Sequence, residues 1–402
     1  MRSFLRAGHL PSLLSAFLYF DVSFMVWVLL GALGVMVAQD LNLNATQKGL
    51  MVAVPILGGS IFRIIMGLLT DRIGAKRTGL IGMTATMIPL CLLWLMGTNL
   101  PQVFAAGFLL GIAGASFAAA IPLASRWYPP EYRGLAMGIA GAGNSGTVFA
   151  VWFAPRLAET FGSWHAVFGL AMIPIGLVMI IFALFAKDAP DQPPAQPLHS
   201  YFAVWKEKDA WLFCFFYSVT FGGFVGFSSF LPILIHDLYG LNQVQASSFV
   251  TACVFAGSFV RPIGGWLADR IGGIRMLLVL FSVIACLVAS AAQLPPFGWM
   301  MGLLIMLMIG LGMGNGAVFQ LVPQRFAKEI GVITGMVGAA GGIGGFYLPF
   351  GLGALKDMTG TYSTGLWAIA AVVALAFISM WVVSRRWRRE WARQSSVGNV
   401  TV

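Results

Sequence analysis

Charge is what this sequence has least of. Only 9% of its 402 residues are Asp, Glu, Lys or Arg, against roughly a quarter in soluble domains. A water-soluble enzyme of this length is excluded on that ground, because too little charged surface is available to cover it. Cysteine is scarce as well. Cys91, Cys214, Cys253 and Cys286 all fall in apolar stretches without CxxC spacing, so they are expected to be packing residues, neither disulfides nor metal ligands. His9, His165, His199 and His236 lie in loops or at the ends of apolar segments. With no HExxH and no paired carboxylates inside an apolar run, a membrane enzyme is disfavoured, and no metal or cofactor is expected.

What is present is hydrophobicity, at 59% of residues. The 49 glycines and 19 prolines sit inside the apolar segments, where membrane helices tolerate them. Apolar runs between polar breaks predict twelve spans, near 11–38, 47–70, 78–97, 101–125, 133–155, 164–186, 210–236, 244–268, 275–293, 299–323, 331–353 and 363–384. Each is long enough to cross ~30 Å of hydrocarbon at ~1.5 Å per residue. The reading is an all-α, multi-pass membrane protein. One long polar connection, Lys187 to Asp209, contains the Pro-rich run from Asp188 to Pro197. It divides the chain into a bundle at 1–186, a linker at 187–209, a second bundle at 210–384 and a basic tail at 385–402.

The net charge of +10 could signal nucleic acid, but the placement of the charges argues for topology. With the N-terminus inside, 19 Lys and Arg fall in cytoplasmic segments and three outside (Lys48, Arg156 and Lys356). The inside group includes Arg2, Arg6, Arg72, Lys76, Arg77, Arg126, Arg133 and the tail arginines Arg385, Arg386, Arg388, Arg389 and Arg393. Both termini are therefore predicted to be cytoplasmic, with no nucleic-acid partner. Arg2 and Arg6 resemble the start of a signal peptide, but the apolar run after them is too long, and no cleavable leader is expected.

The chain repeats itself. Gly67-Leu-Leu-Thr-Asp71-Arg72-Ile-Gly74 recurs as Gly265-Trp-Leu-Ala-Asp269-Arg270-Ile-Gly272, 198 residues later. Arg126-Trp127 recurs as Arg325-Phe326, and Gly134-x-x-x-Gly138-x-x-Gly141 as Gly331-x-x-x-Gly335-x-x-Gly338. Two halves of one topology imply a pseudo-two-fold axis along the membrane normal, with a binding site between them near the midplane.

The segment from Gly67 to Arg77, Gly-x-x-x-Asp-Arg-x-Gly-x-Lys-Arg, resembles the signature of the loop between the second and third spans in the major facilitator superfamily. The resemblance implies two pseudo-symmetric six-helix bundles. It also implies that Asp71 and Arg72, with Asp269 and Arg270 in the second copy, belong to a cytoplasmic gate that latches the halves in the outward-open state.

Three charges remain inside spans: Asp21, Arg63 and Arg261. The arginines are 198 apart, and each precedes its Asp-Arg pair by eight residues, ~12 Å inside the boundary. An embedded Arg costs roughly 2.5–3.5 kcal/mol even on the lenient insertion scale. One acid cannot neutralise both. A small anion held between two guanidinium groups, one from each half, would, because the planar fork matches planar oxyanions. Lysine is absent from the spans' interior. At similar depth lie two glycine runs, Gly138-Ile-Ala-Gly141-Ala-Gly143-Asn144-Ser145-Gly146 and Gly335-Met-Val-Gly338-Ala-Ala-Gly341-Gly342-Ile-Gly344-Gly345. They permit close helix packing or leave space for a small anion.

These runs resemble the paired signatures of the nitrate/nitrite porters. That resemblance implies Arg63 and Arg261 as the anion clamp, Asn144 as a polar contact, and Phe117 and Phe221 as aromatic walls with Tyr217 donating a hydrogen bond. Ser228 and Asn315 are weaker pocket candidates. Gly341 stands where the repeat would put Asn144, so the pocket's two ends are not chemically equivalent.

A dicationic pocket that is costly when empty favours obligatory exchange, such as nitrate in for nitrite out. Asp21, ~15 Å deep, complicates this. Close to either arginine, it would couple a proton to uptake. The expectation is proton-coupled nitrate or nitrite uptake across the inner membrane by a monomer in the bilayer. Antiport without protons, another small anion and an anion channel are the alternatives.

Overall fold

The computed structural model describes Phe4 and residues 7–190, 204–326 and 330–395. Arg2 and Arg6, the linker from 191 to 203 with His199, Lys328 and the end of the tail from 396 lie outside the described residues, as do the side chains of Arg388, Arg389 and Arg393.

Among the described residues, twelve helices are long and apolar enough to span a membrane. We number them α1 to α12. α1 runs in three pieces, Leu10–Trp27, Leu29–Ala32 and Gly34–Asp40. α2 is Ala45–Ile73 and α3 Ala75–Leu95. α4 is split into Leu100–Gly114 and Phe117–Ser125. α5 comprises Pro130–Gly141, a 3₁₀ turn at Ala142–Ser145 and Gly146–Phe161. α6 is Trp164–Phe185 and α7 Lys208–Tyr239. α8 is broken into Gln243–Phe259 and Arg261–Ile271. α9 is Gly273–Ala291, α10 Phe297–Arg325, α11 Ile330–Thr359 and α12 Ser363–Ser395. α7 begins at Lys208, two residues before the start predicted for that span.

The repeat is structural as well as sequential. Asn44 and Asn242 each cap a helix in a reciprocal box with a glutamine three residues on, Gln47 and Gln245. The boxes start α2 and α8 at equivalent points, 198 residues apart. Both helices end alike. Gly74 has φ +91° and Gly272 has φ +90°, a region costly for any residue with a Cβ. That backbone demand accounts for the final glycine of each Gly-x-x-x-Asp-Arg-x-Gly copy.

With twelve spans among the described residues, the start of α1 and the end of α12 lie on one face, here called the terminal face; the other is the distal face. On the distal face the halves are stitched together. Lys48 on α2 pairs with Asp237 on α7 at 3.1 Å. The Asp357 carboxylate on α11 accepts from the Ala45 and Thr46 amides of α2 at 3.2 and 2.7 Å. Arg156 on α5 donates to Ser248 on α8 at 2.7 Å. Backbone also meets backbone: a Cβ at Gly49 would lie 2.3 Å from the Pro349 carbonyl oxygen, and one at Gly353 2.2 Å from that of Ala45.

Toward the terminal face the halves part. Gly67, Gly134, Gly138, Gly141 and Gly335 have nothing within 4 Å of where a side chain would begin. Ion pairs there stay within one half among the described residues. Asp71 binds Arg126 at 2.8 Å. Asp209, buried at the start of α7, accepts from Arg325 Nε and Trp387 Nε1 and also pairs with Arg386.

Candidate anion site

Arg63 sits in the unbroken part of α2 and is 3% exposed. Its fork is used by backbone. Nη1 donates to the Gly338 carbonyl of α11 at 2.6 Å and Nη2 to the Gly114 carbonyl of α4 at 2.9 Å. The Gly114 oxygen is available because α4 breaks there: the Ala118 amide bonds to Ala115 at 3.0 Å, not to the carbonyl four residues back. Trp27 shapes that break, since a Cβ at Gly114 would fall 2.2 Å from its ring. Arg63 Nε is buried without a partner.

Phe117 and Phe221 both flank the Arg63 guanidinium, each ring centroid 5.5 Å from Cζ. In this conformation the two aromatics embrace the cation itself, where the resemblance implies that they enclose the anion. A guanidinium held against aromatic faces is stabilised by the ring quadrupole, which offsets part of its desolvation.

Arg261 opens the second piece of α8. Pro262 explains the break: it lacks an N–H, and its ring conflicts with the carbonyl four residues earlier. Arg261 Nη2 donates to Tyr217 Oη over a long 3.4 Å, and Nη1 is buried without a partner. Tyr217 stacks on Phe221 with centroids 5.0 Å apart and planes 4° apart. Arg63 therefore flanks one ring of the stacked pair, and Arg261 meets the hydroxyl of the other. Phe319 of α10 closes the cluster, edge-on to Tyr217 at 4.8 Å and 6.2 Å from Phe117. Sequence reasoning missed Phe319; its spacing of four from Asn315 was the one signal that could have found it.

Asn144 lies in the 3₁₀ turn of α5 and is buried. Its Nδ2 reaches Ser258 Oγ of α8 at 3.5 Å, across the halves, while its Oδ1 has no partner. Ser258 is one turn before Arg261 and was not a candidate. Asp21 approaches neither arginine. Its Oδ1 accepts from Ser145 Oγ at 2.6 Å, next to Asn144 in the same turn. Among the described residues neither embedded arginine has a carboxylate partner.

The glycine runs divide by task. Gly143 and Gly146 press α5 onto α1: a Cβ at Gly146 would lie 1.8 Å from the Asp21 carbonyl oxygen. A Cβ at Gly341 would lie 2.6 Å from the Tyr217 ring, one at Gly342 2.0 Å from the Ser60 hydroxyl and one at Gly344 2.4 Å from the Ser218 carbonyl oxygen. In these runs only a Cβ at Gly338 would meet an embedded arginine, 3.2 Å from Arg63 Cδ. Gly138 and Gly141 face open space.

The weaker candidates separate. Asn315 is buried with its Oδ1 unpartnered, whereas Ser228 Oγ turns back to the Phe224 carbonyl of its own helix at 2.7 Å. Of the gate residues, Asp71 pairs within its own half and Arg270 stacks on Trp266 at 3.9 Å. Asp269 is exposed, and Arg72 closes the last turn of α2.

The sequence profile described as "Major Facilitator Superfamily" matches residues 15–349. The chain belongs to that superfamily. Relatives of this facilitator include the "Probable nitrate/nitrite transporter NarK2" of Mycobacterium tuberculosis (strain ATCC 25618 / H37Rv), 37% identical over 88% of this chain and 91% of the relative. The "Nitrite extrusion protein" of Bacillus subtilis (strain 168) is 32% identical over 88% and 89% of the two chains. The "Probable nitrate/nitrite antiporter NarK1" of Thermus thermophilus is 30% identical over 90% and 89%. These relatives place the facilitator in the nitrate/nitrite porter branch. Its fold is similar to that of a bacterial homologue of the human lysosomal transporter Spinster, with a TM-score of 0.71 over 93% of this chain and 96% of that one, at 17% identity.

Proposed function

We propose that this facilitator moves nitrate, nitrite or both across the membrane by alternating access, with the anion held between Arg63 and Arg261. The observation that carries the reading is a pair of embedded guanidiniums, one from each half, that meet the two members of a stacked ring pair and have no carboxylate partner among the described residues. Each keeps an unused buried donor, Arg63 Nε and Arg261 Nη1. Unpaired donors of two cations suit a small planar oxyanion. Relatives named for nitrate and nitrite support the same substrate class. Asn144, Tyr217 and Asn315 supply the polar rim, and Phe117, Phe221 and Phe319 the walls.

Uptake is coupled to a proton through Asp21, which meets the site by way of Ser145 and the 3₁₀ turn carrying Asn144. Exchange of nitrate for nitrite is the second reading. It is favoured by the unpartnered Arg261 donor, which leaves an empty carrier reluctant to reorient. The termini face the cytoplasm, the membrane is the inner one, and the carrier works as a monomer. Purified protein in liposomes preloaded with nitrate, nitrite, chloride or nothing tests this, with nitrate uptake followed at several pH values. Arg63→Lys and Arg261→Lys each abolish uptake if the clamp is correct; retained affinity in both would overturn it, because lysine keeps the charge and loses the fork.

A further inference from the structure

Gln243 opens α8 on the distal face, is 4% exposed and sends its side chain across to the other half. Its Oε1 accepts from the Val35 amide at 3.0 Å. Its Nε2 donates to the Ala32 carbonyl and, at 3.1 Å, to Ser247 Oγ on its own helix. Ala32 and Val35 bracket Leu33, the second break in α1. The amide of one half thus stands where backbone partners would stand in an unbroken helix of the other. A primary amide offers a donor and an acceptor side by side for this.

The broken turn is pressed onto α7 at the same level. A Cβ at Gly31 would lie 2.5 Å from the Ser229 carbonyl oxygen, and one at Gly34 2.7 Å from Ile233 Cδ1. The neighbouring Lys48–Asp237 pair, with side chains 21% and 10% exposed, joins the halves beside it. The Gln243 bonds are dry. Breaking them strands a buried amide and two backbone groups unless each finds another partner.

We propose that Gln243 is a positioning residue that latches the distal face shut, and that the α1 break at Leu33 exists to receive it. When the halves rock open on the distal face, the amide withdraws, and the freed Ala32 carbonyl and Val35 amide return to helical bonding within α1. Opening then exchanges one set of hydrogen bonds for another, so the latch holds without making the transition prohibitive. This rests on alternating access between the halves and not on the identity of the anion.

The test uses full-length protein with Cys91, Cys214, Cys253 and Cys286 replaced by serine and a single Ser229→Cys probe. Ser229 is 2% exposed against the broken turn, so its replacement thiol reacts with a bulky maleimide only when the distal face opens. Gln243→Met keeps the length and removes both bonds; Gln243→Leu removes both with a shorter side chain. Labelling is expected to rise roughly five-fold or more in both variants. In transport from the distal side, the KM falls with the greater distal-open population. A protein merely less stable would lose maximal rate at unchanged KM. Should Gln243→Met not yield monodisperse protein, Gln243→Leu carries the test alone. Unchanged labelling in whichever variants fold overturns the latch. Increased labelling with no nitrate transport in the parent overturns the anion reading and leaves the latch standing.

Discussion

Arg63 of α2 and Gly338 of α11 are joined across the two halves by a 2.6 Å hydrogen bond from guanidinium to carbonyl. The bond lies at the terminal end of a long α2–α11 seam that begins at Ala45 and Gly353. An anion that draws the Arg63 fork toward itself therefore also loosens a bond between the halves. With the anion held at Arg63 as proposed, occupancy and the freedom to rock would be tied at one residue.

Arg63→Lys is expected to weaken anion binding roughly 10- to 100-fold. A single ammonium cannot span the Gly114 and Gly338 carbonyls in the fork's geometry and still offer a donor to the substrate. Titration of purified protein with nitrate measures this directly, and affinity within two-fold of the parent would contradict it.

Two glycines three residues apart should respond differently. An alanine at Gly338 places its Cβ 3.2 Å from Arg63 Cδ, whereas one at Gly335 meets open space. Gly338→Ala is expected to raise the KM several-fold, by displacing the guanidinium. Gly335→Ala should leave affinity unchanged but slow turnover if α2 and α11 close on the terminal face in the other state. Matching effects on affinity would show that the Arg63 contact is immaterial.

Gly146→Ala would force a Cβ to within 1.8 Å of the Asp21 carbonyl oxygen. Backbone cannot yield as a flexible side chain does, so a loss of about 1–3 kcal/mol or more is expected. Gly138→Ala, on the open face of the same helix, should melt with the parent. Thermal unfolding in one detergent compares the two, and equal melting temperatures would refute the packing role.

Asp21→Asn is expected to keep anion binding, since Asp21 touches neither arginine, while uptake loses its dependence on the proton gradient. Ser145→Ala should weaken that dependence, because the hydroxyl is the link from Asp21 to the turn carrying Asn144. Full gradient dependence in the Asp21→Asn carrier would remove the proton from the mechanism and leave exchange.

Asp357→Ala removes a carboxylate that accepts from the first amides of α2. Loss of such a cap costs about 1 kcal/mol, here spent on the contact between halves. A roughly five-fold shift toward the distal-open form follows, read by labelling of the Ser229→Cys probe. A drop in melting temperature without a change in labelling would mark the cap as merely structural.

The two arginines were legible in the sequence because a charge in an apolar run is costly and a matched pair at one offset is improbable by accident. Their partners were not. Gly114 and Gly338 contribute backbone carbonyls, and a carbonyl carries no residue identity to be read. The helix breaks beside Phe117, Asn144 and Arg261 were equally hidden, apart from Pro262, since twelve uninterrupted apolar runs fit the same hydropathy. Gln243 fell just outside the eighth predicted span, and nothing local marks a glutamine there as a contact to the other half. Asp21 stood out as a charge, but only packing of α5 onto α1 could show that its partner is a hydroxyl.

By itself the sequence determined the class, the repeat and the unusual charges, because hydropathy, glycine at positive φ and the cost of burying a guanidinium are local properties. Only the tertiary structure decided what those charges touch. Helix breaks, carbonyls turned toward Arg63, and a seam closed on one face and open on the other arise where distant segments meet, and no single segment encodes that meeting.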